Sequence, residues 1–178
     1  LIIAVLIIFV ILFRYWKSTA TGARQFDKIK LRIPIVKYFT RMGAIVQFSS
    51  TLGLLIESGV NLAESLDIVV KIITNRILKD TLNQARDKII KQGKIAEFLR
   101  QTNIFPPIAI YLIKTGEETG QLDQMLLTVA NNYETDLADY ADSLTSKLEP
   151  IMLIVMAVIV GFVVISVIQP MIQQAQLF

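Results

Sequence analysis

Residues 122–168 read LDQMLLTVANNYETDLADYADSLTSKLEPIMLIVMAVIVGFVVISVI. The first part carries apolar side chains at Leu122, Met125, Leu126, Val129, Tyr133, Leu137, Tyr140, Leu144 and Leu148. That stripe advances by about 3.7 residues per step, the period of an amphipathic α-helix. From Ile151 to Ile168 the pattern changes, and Ser166 is the single polar residue. Such a run, at about 1.5 Å per residue, spans about 27 Å, close to the hydrocarbon thickness of a bilayer. No loop signal separates the two parts. Pro150 stands at the junction beside Glu149, and its ring opposes a straight helical path, so a kink at membrane entry is expected there. A soluble helix this apolar would need a core covering all its faces, and the polar remainder of the chain is too small to supply one.

The rest of the composition agrees with a membrane protein. Of 178 residues, 53% are hydrophobic and 19% charged, more apolar than an ordinary soluble domain. The mean hydropathy is +0.55. All 18 basic and 15 acidic residues lie between Arg14 and Glu149. Residues 1–13 (LIIAVLIIFVILF) carry no charge and are followed by Arg14, Tyr15, Trp16 and Lys17, the side chains that suit a helix exit at headgroup level. This run is read as the second half of a membrane helix, its start expected upstream. A signal peptide would carry a basic leader and a small-residue cleavage site. Residues 14–41 hold eight basic residues and one acid, net +7, whereas residues 171–178 hold no charge. Basic residues next to a membrane helix stay in the cytoplasm, so the middle region is expected inside and the tail outside.

Helix starts and stops are legible through the middle. Pro34 suits a first helical turn, and Ile35, Phe39, Met42, Ile45, Phe48, Leu52 and Leu55 follow at helical spacing. Gly59 suits a left-handed stop. Asn61 with Glu64 reads as a cap and its partner, opening a helix through Leu62, Leu66, Val69 and Ile73. Asn75 caps the next, carried by Ile77, Leu78, Leu82, Ala85, Ile89 and Ile90, with Gly93 as its stop. A short helix through Ile95, Phe98 and Leu99 and another from Ile108 to Lys114 complete the set, and Gly116 and Gly120 are expected to bracket a turn. No stretch alternates as a strand does. The fold class is therefore all-α: an antiparallel bundle of about six helices between two transmembrane helices. The boundaries expected are 1–17 for the truncated membrane helix and interface, 18–33 for a basic linker, 34–149 for the bundle, 150–170 for the second membrane helix and 171–178 for a short tail.

Few chemistries remain open. There is no Cys and no His, which excludes thiol nucleophiles, disulfides, histidine bases and the usual zinc sites. No phosphate-binding loop and no nucleophile elbow appears. Glu117 and Glu118 are adjacent, but neighbouring carboxylates at a turn do not form an acid–base pair. Residues 114–149 hold two basic and eight acidic residues, net −6. Asp136, Asp139 and Asp142 share one helix face, a candidate acidic docking face or simply a solvated one. A divalent cation would need ligands converging from several elements, so no metal or cofactor is expected. The basic, aromatic stretch 14–41 points to lipid headgroups before nucleic acid.

KTGEETGQLDQML, residues 114–126, resembles the G-E-x-T/S-G-x-L turn of the type II secretion F and type IV pilus platform family. FSSTLGLLIESGVNLAESL, residues 48–66, is similar to that family's first helix pair, Phe105-Pro106 precedes the turn, and Leu148-Glu149-Pro150 opens the last membrane helix, which Pro170 closes. The resemblance covers about residues 34–172 and corresponds to the family's second cytoplasmic domain with its flanking membrane helices. It implies a non-enzymatic, oligomeric platform of the bacterial inner membrane. Its implied partners are a cytoplasmic hexameric ATPase, pilin or pseudopilin subunits, other inner-membrane assembly proteins and lipids. It also implies that Gly116, Glu117, Glu118, Thr119, Gly120 and Leu122 form the family motif, with Glu117 and Glu118 as candidate contacts to the ATPase. The rival readings are a membrane sensor, a transporter subunit and an enzyme. A sensor would have its domain outside and an output module after the second span, and a transporter would carry polar groups within its spans.

Overall fold

Proline, asparagine and glycine set the helix limits. The computed structural model describes residues 27–28 and 31–175, with side-chain surroundings to Ser166. Helix α1 (Pro34–Glu57) opens on Pro34. At its end the Gly59 N–H donates to the Ile56 carbonyl and the Val60 N–H to the Leu55 carbonyl. This is a Schellman closure, and Gly59 takes the left-handed conformation it requires, at φ 83°. Helix α2 (Leu62–Ile72) is capped by Asn61, whose Oδ1 accepts from the Glu64 N–H at 2.9 Å. Helix α3 (Arg76–Gln92) is capped by Asn75, which accepts from the Ile77 and Leu78 N–H groups. Helices α4 (Ile95–Gln101), α5 (Pro107–Thr119) and α6 (Leu122–Ala175) follow. Among the described residues there is no strand, as the all-α reading expects.

The chain divides into two units, Leu1–Leu137 and Ala138–Phe178. In the first unit each helix up to α5 packs on its neighbour in sequence. The core takes one stripe from each helix: Ile45, Phe48 and Leu52 of α1, Leu66 and Val69 of α2, Leu82 and Ile89 of α3, Leu99 of α4, Ile113 of α5, and Leu126 and Val129 of α6. Phe48 meets Phe105 edge-to-face at 5.4 Å, a favoured aromatic geometry. By length and apolarity alone α1 would also pass as a membrane span. Its buried stripe identifies it instead as a core-forming helix of the bundle.

In the second unit, every residue from 151 to 160 and from 162 to 166 is exposed. The helical stretch Leu122–Ser166 is long and apolar enough to cross a bilayer, and its most apolar window contains no buried residue. An apolar run with no buried residue among those described suits a lipid-facing helix.

Two expectations about helix ends need correction. Helix α5 does not stop near Lys114 but continues to Thr119, so only Gly120 is a turn glycine. Helix α6 does not close at Pro170 but continues to Ala175. A proline costs its helix one backbone hydrogen bond and a local adjustment, which an apolar helix tolerates. Within the stretch read as a linker, Asp27 is docked on the bundle: the Arg76 N–H donates to its Oδ2 at 3.1 Å, and Leu31 packs against the core. Residues 1–17, and the tail beyond Ala175, lie outside the described residues.

Candidate functional site: the junction of α4, α5 and α6

Gly116 lies in the last turn of α5 and is buried. Its backbone is not left-handed, so the reason for glycine lies elsewhere. A Cβ added there would sit 2.8 Å from Met125 Cβ, 2.9 Å from Met125 Cγ and 3.0 Å from the Gln121 carbonyl oxygen. The missing side chain is what lets the end of α5 press against the start of α6. Gly53 does the same on α1, where a Cβ would lie 3.0 Å from Leu127 Cγ and 3.1 Å from the Asp123 carbonyl oxygen. Gly120 is the true turn residue, at φ 75°. The Gly120 and Gln121 N–H groups both donate to the Gly116 carbonyl. Leu122 then packs, half-buried, against the core.

Glu117 is half-buried and turned toward α4. The Ile95 N–H donates to its Oε1 at 2.8 Å and the Ala96 N–H to its Oε2 at 3.0 Å. These are orphan donors at the start of a short helix whose preceding residue, Lys94, provides no side-chain cap. One carboxylate therefore satisfies two of them and ties α5 to α4, with the helix dipole adding to the attraction. The structure thus places this acid at the start of an earlier helix, not at a turn.

The next two residues behave differently. Glu118 is exposed and pairs with Lys114 one turn back at 3.6 Å. The Thr119 hydroxyl donates to the Thr115 carbonyl at 2.8 Å, so it bonds back into its own helix and caps nothing. Between α4 and α5 runs an open cleft of about 420 Å³, lined by Lys94, Glu97, Arg100, Ile110, Lys114 and Glu118. Lys94 pairs with Glu97 at 3.3 Å, while Arg100 has no ion pair among the described residues. The cleft thus presents both basic and acidic side chains to one open space.

On α6, Asp136, Asp139 and Asp142 are exposed. Among the described residues no three carboxylates are placed to hold a metal. Tyr133, beside Asp136, is buried. Burial first, and then the Asp136 charge, raise its hydroxyl above the ordinary tyrosine range. Glu149 and Pro150 lie within α6 and are exposed. Pro150 has no N–H to give the Ser146 carbonyl.

Over residues 48–170 the chain matches the family described as type II secretion system protein F. The chain belongs to that family. It is 37% identical over 172 residues to a type IV pilus assembly protein PilC of Thermus thermophilus, covering 96% of this chain and 42% of that relative. It is 35% identical over 168 residues to a type II secretion system protein F of Pseudomonas aeruginosa, covering 94% of this chain and 42% of that one. A PilC of Myxococcus xanthus is 33% identical over 156 residues, 87% of this chain and 37% of the relative. The chain thus spans about two-fifths of the length of the curated relatives it matches. The protein F family is one of the inner membrane, in keeping with the apolar run of α6. The match includes α5, the turn at Gly120 and the start of α6, so the geometry just described falls within the family's own region.

The sequence did not point to Arg100 or Lys94 as cleft residues, nor to Gly53. A lone glycine inside a helical pattern is the one signal that could have found Gly53. The cleft has none, because it forms between helices whose facing surfaces no periodicity reports.

Proposed function

We propose that this chain is the second cytoplasmic domain of an inner-membrane platform protein, with its flanking membrane helices. The bundle, residues 34–149, lies in the cytoplasm. Residues 150–170 are the span that follows the bundle, residues 1–17 belong to the membrane helix before it and to that helix's interface, and residues 171–178 are outside. The platform couples a cytoplasmic hexameric ATPase to the addition of pilin or pseudopilin subunits to a growing fibre, without catalysis of its own. Family membership together with the fully exposed apolar run of α6 after residue 150 carries this reading. The net +7 of residues 14–41 beside the first apolar run supports the orientation. A helical assignment that continues from Leu122 through Pro150 suits a part that passes displacement from bundle to membrane.

Two measurements test it. The chain has no cysteine, so single cysteines at Gln92 and Gln176 of the full-length protein, with any cysteines outside this stretch removed, report topology. A membrane-impermeant maleimide applied to cells with an intact inner membrane labels position 176 and not position 92. The reverse pattern puts the bundle outside and ends the platform reading. Inverted inner-membrane vesicles carrying the protein bind the purified ATPase of the same system, and vesicles lacking it do not. Equal binding to both kinds of vesicle would remove the coupling.

A further inference from the structure

Helix α5 is apolar around its whole circumference over residues 108–113, which read Ile108, Ala109, Ile110, Tyr111, Leu112 and Ile113. A helix of that composition is ordinarily covered on every side. Here only one side is covered: Ala109 and Ile113 are buried, whereas Ile108 is 68% and Tyr111 69% exposed. No other large apolar side chain described in the first unit is as exposed. The two stand one turn apart on one face. Beside Ile108 opens a cavity of about 370 Å³, lined by Ile108, Asn132, Tyr133, Thr135 and Asp136. Asp136 makes no ion pair among the described residues, and no basic residue lines the cavity.

We propose that this face docks a basic, amphipathic segment of another protein. One apolar side chain of the segment fills the cavity beside Ile108, a second lies on Tyr111, and a lysine or arginine meets Asp136. The charge of the surface selects this occupant. Residues 114–137, the part of the acidic stretch within the first unit, hold one basic and five acidic residues, net −4, which attracts a basic segment and repels anionic lipid headgroups. This chain's own basic stretch, residues 14–41, is a poorer fit. Arg41 donates to the Ile104 carbonyl, and the stretch begins beside the apolar run 1–13. The inference stands on exposure and charge, and it does not depend on the platform reading.

The test places the photocrosslinking residue p-benzoylphenylalanine at position 111 of the full-length protein, in the membranes of its own cells. The cross-linked peptide is then sequenced. The expected adduct is a peptide of another protein with net positive charge and apolar residues at helical spacing. Asp136→Lys lowers its yield about fivefold, since an attraction becomes a repulsion. Glu57→Lys, an exposed acid at the end of α1 and outside the acidic stretch, leaves the yield unchanged. Helical circular dichroism confirms that both variants are folded. An adduct to lipid alone, to a second copy of this chain, or to a neutral or acidic peptide overturns the proposal. So does the absence of any adduct, or a yield that Asp136→Lys does not move.

Discussion

Replacing Gly116 by alanine separates two accounts of the motif glycine. If Gly116 served only a turn, alanine would cost its left-handed strain; if it were an ordinary helical glycine, alanine would stabilise by about 1 kcal/mol through helix propensity. The structure supports neither account. The new Cβ would meet Met125 Cβ at 2.8 Å and the Gln121 carbonyl oxygen at 3.0 Å. Neither atom can rotate away, because one is fixed to the backbone and the other belongs to it. Relief requires the start of α6 to move, and overpacking of this kind costs about 1–3 kcal/mol. With Met125 Cγ also crowded, the upper part of that range applies. After the propensity gain is subtracted, the net loss is about 1–2 kcal/mol. For a chain of this size that is a fall in Tm of about 3–6 °C. Gly43→Ala is the internal control: it is helical with nothing within 4 Å of the added Cβ, so it raises Tm by about 2 °C. The assay is thermal unfolding of the detergent-solubilised protein, followed by far-ultraviolet circular dichroism. A Gly116→Ala variant as stable as the parent, or more stable, would refute the close-approach argument.

Glu117→Ala leaves the Ile95 and Ala96 N–H groups without their acceptor and costs about 1–2 kcal/mol; hydrogen exchange at those two amides accelerates, and exchange at the parent rate would sink the clasp. Glu118→Ala changes stability by less than about 0.5 kcal/mol, because its pair with Lys114 is exposed; a larger loss in chemical denaturation would contradict that. Phe48→Ala, at the edge-to-face contact with Phe105, costs about 3–5 kcal/mol, and only a small shift in unfolding midpoint would show the core misplaced. Tyr133 has a raised pKa in the fold, so its contribution is intact below about pH 10 and is lost as pH climbs from there through the folded value. Tyr133→Phe therefore flattens the alkaline fall of stability relative to the parent, and parallel curves for the two proteins would rule this out. Arg86 bridges Asp67 of α2 at 3.0 Å from α3 while also holding Asp87 at 2.7 Å; Arg86→Ala costs under about 1 kcal/mol, less in high salt, and a salt-independent loss would point to packing instead.

The sequence by itself determined the helices, because their signals are local. A cap such as Asn61 or Asn75 bonds within three residues, a stop such as Gly59 needs only its own φ, and apolar stripes report one buried face per helix. The membrane segment was legible for the same reason, since a run such as residues 151–168 cannot hide in a bundle this small. The end of α5 is not legible in the sequence, because Gly116 reads as a turn residue while its constraint comes from Met125 and Gln121 across the junction. Only the tertiary structure shows what the motif residues touch. Glu117 reaches two amides more than twenty positions earlier in the chain, and no spacing rule connects them. Composition marks Ile108 and Tyr111 only as members of an apolar helix, and the packing of α5 shows which of its apolar faces stays uncovered. Periodicity records that a face is apolar. What lies against that face is settled by contacts between residues far apart in the chain.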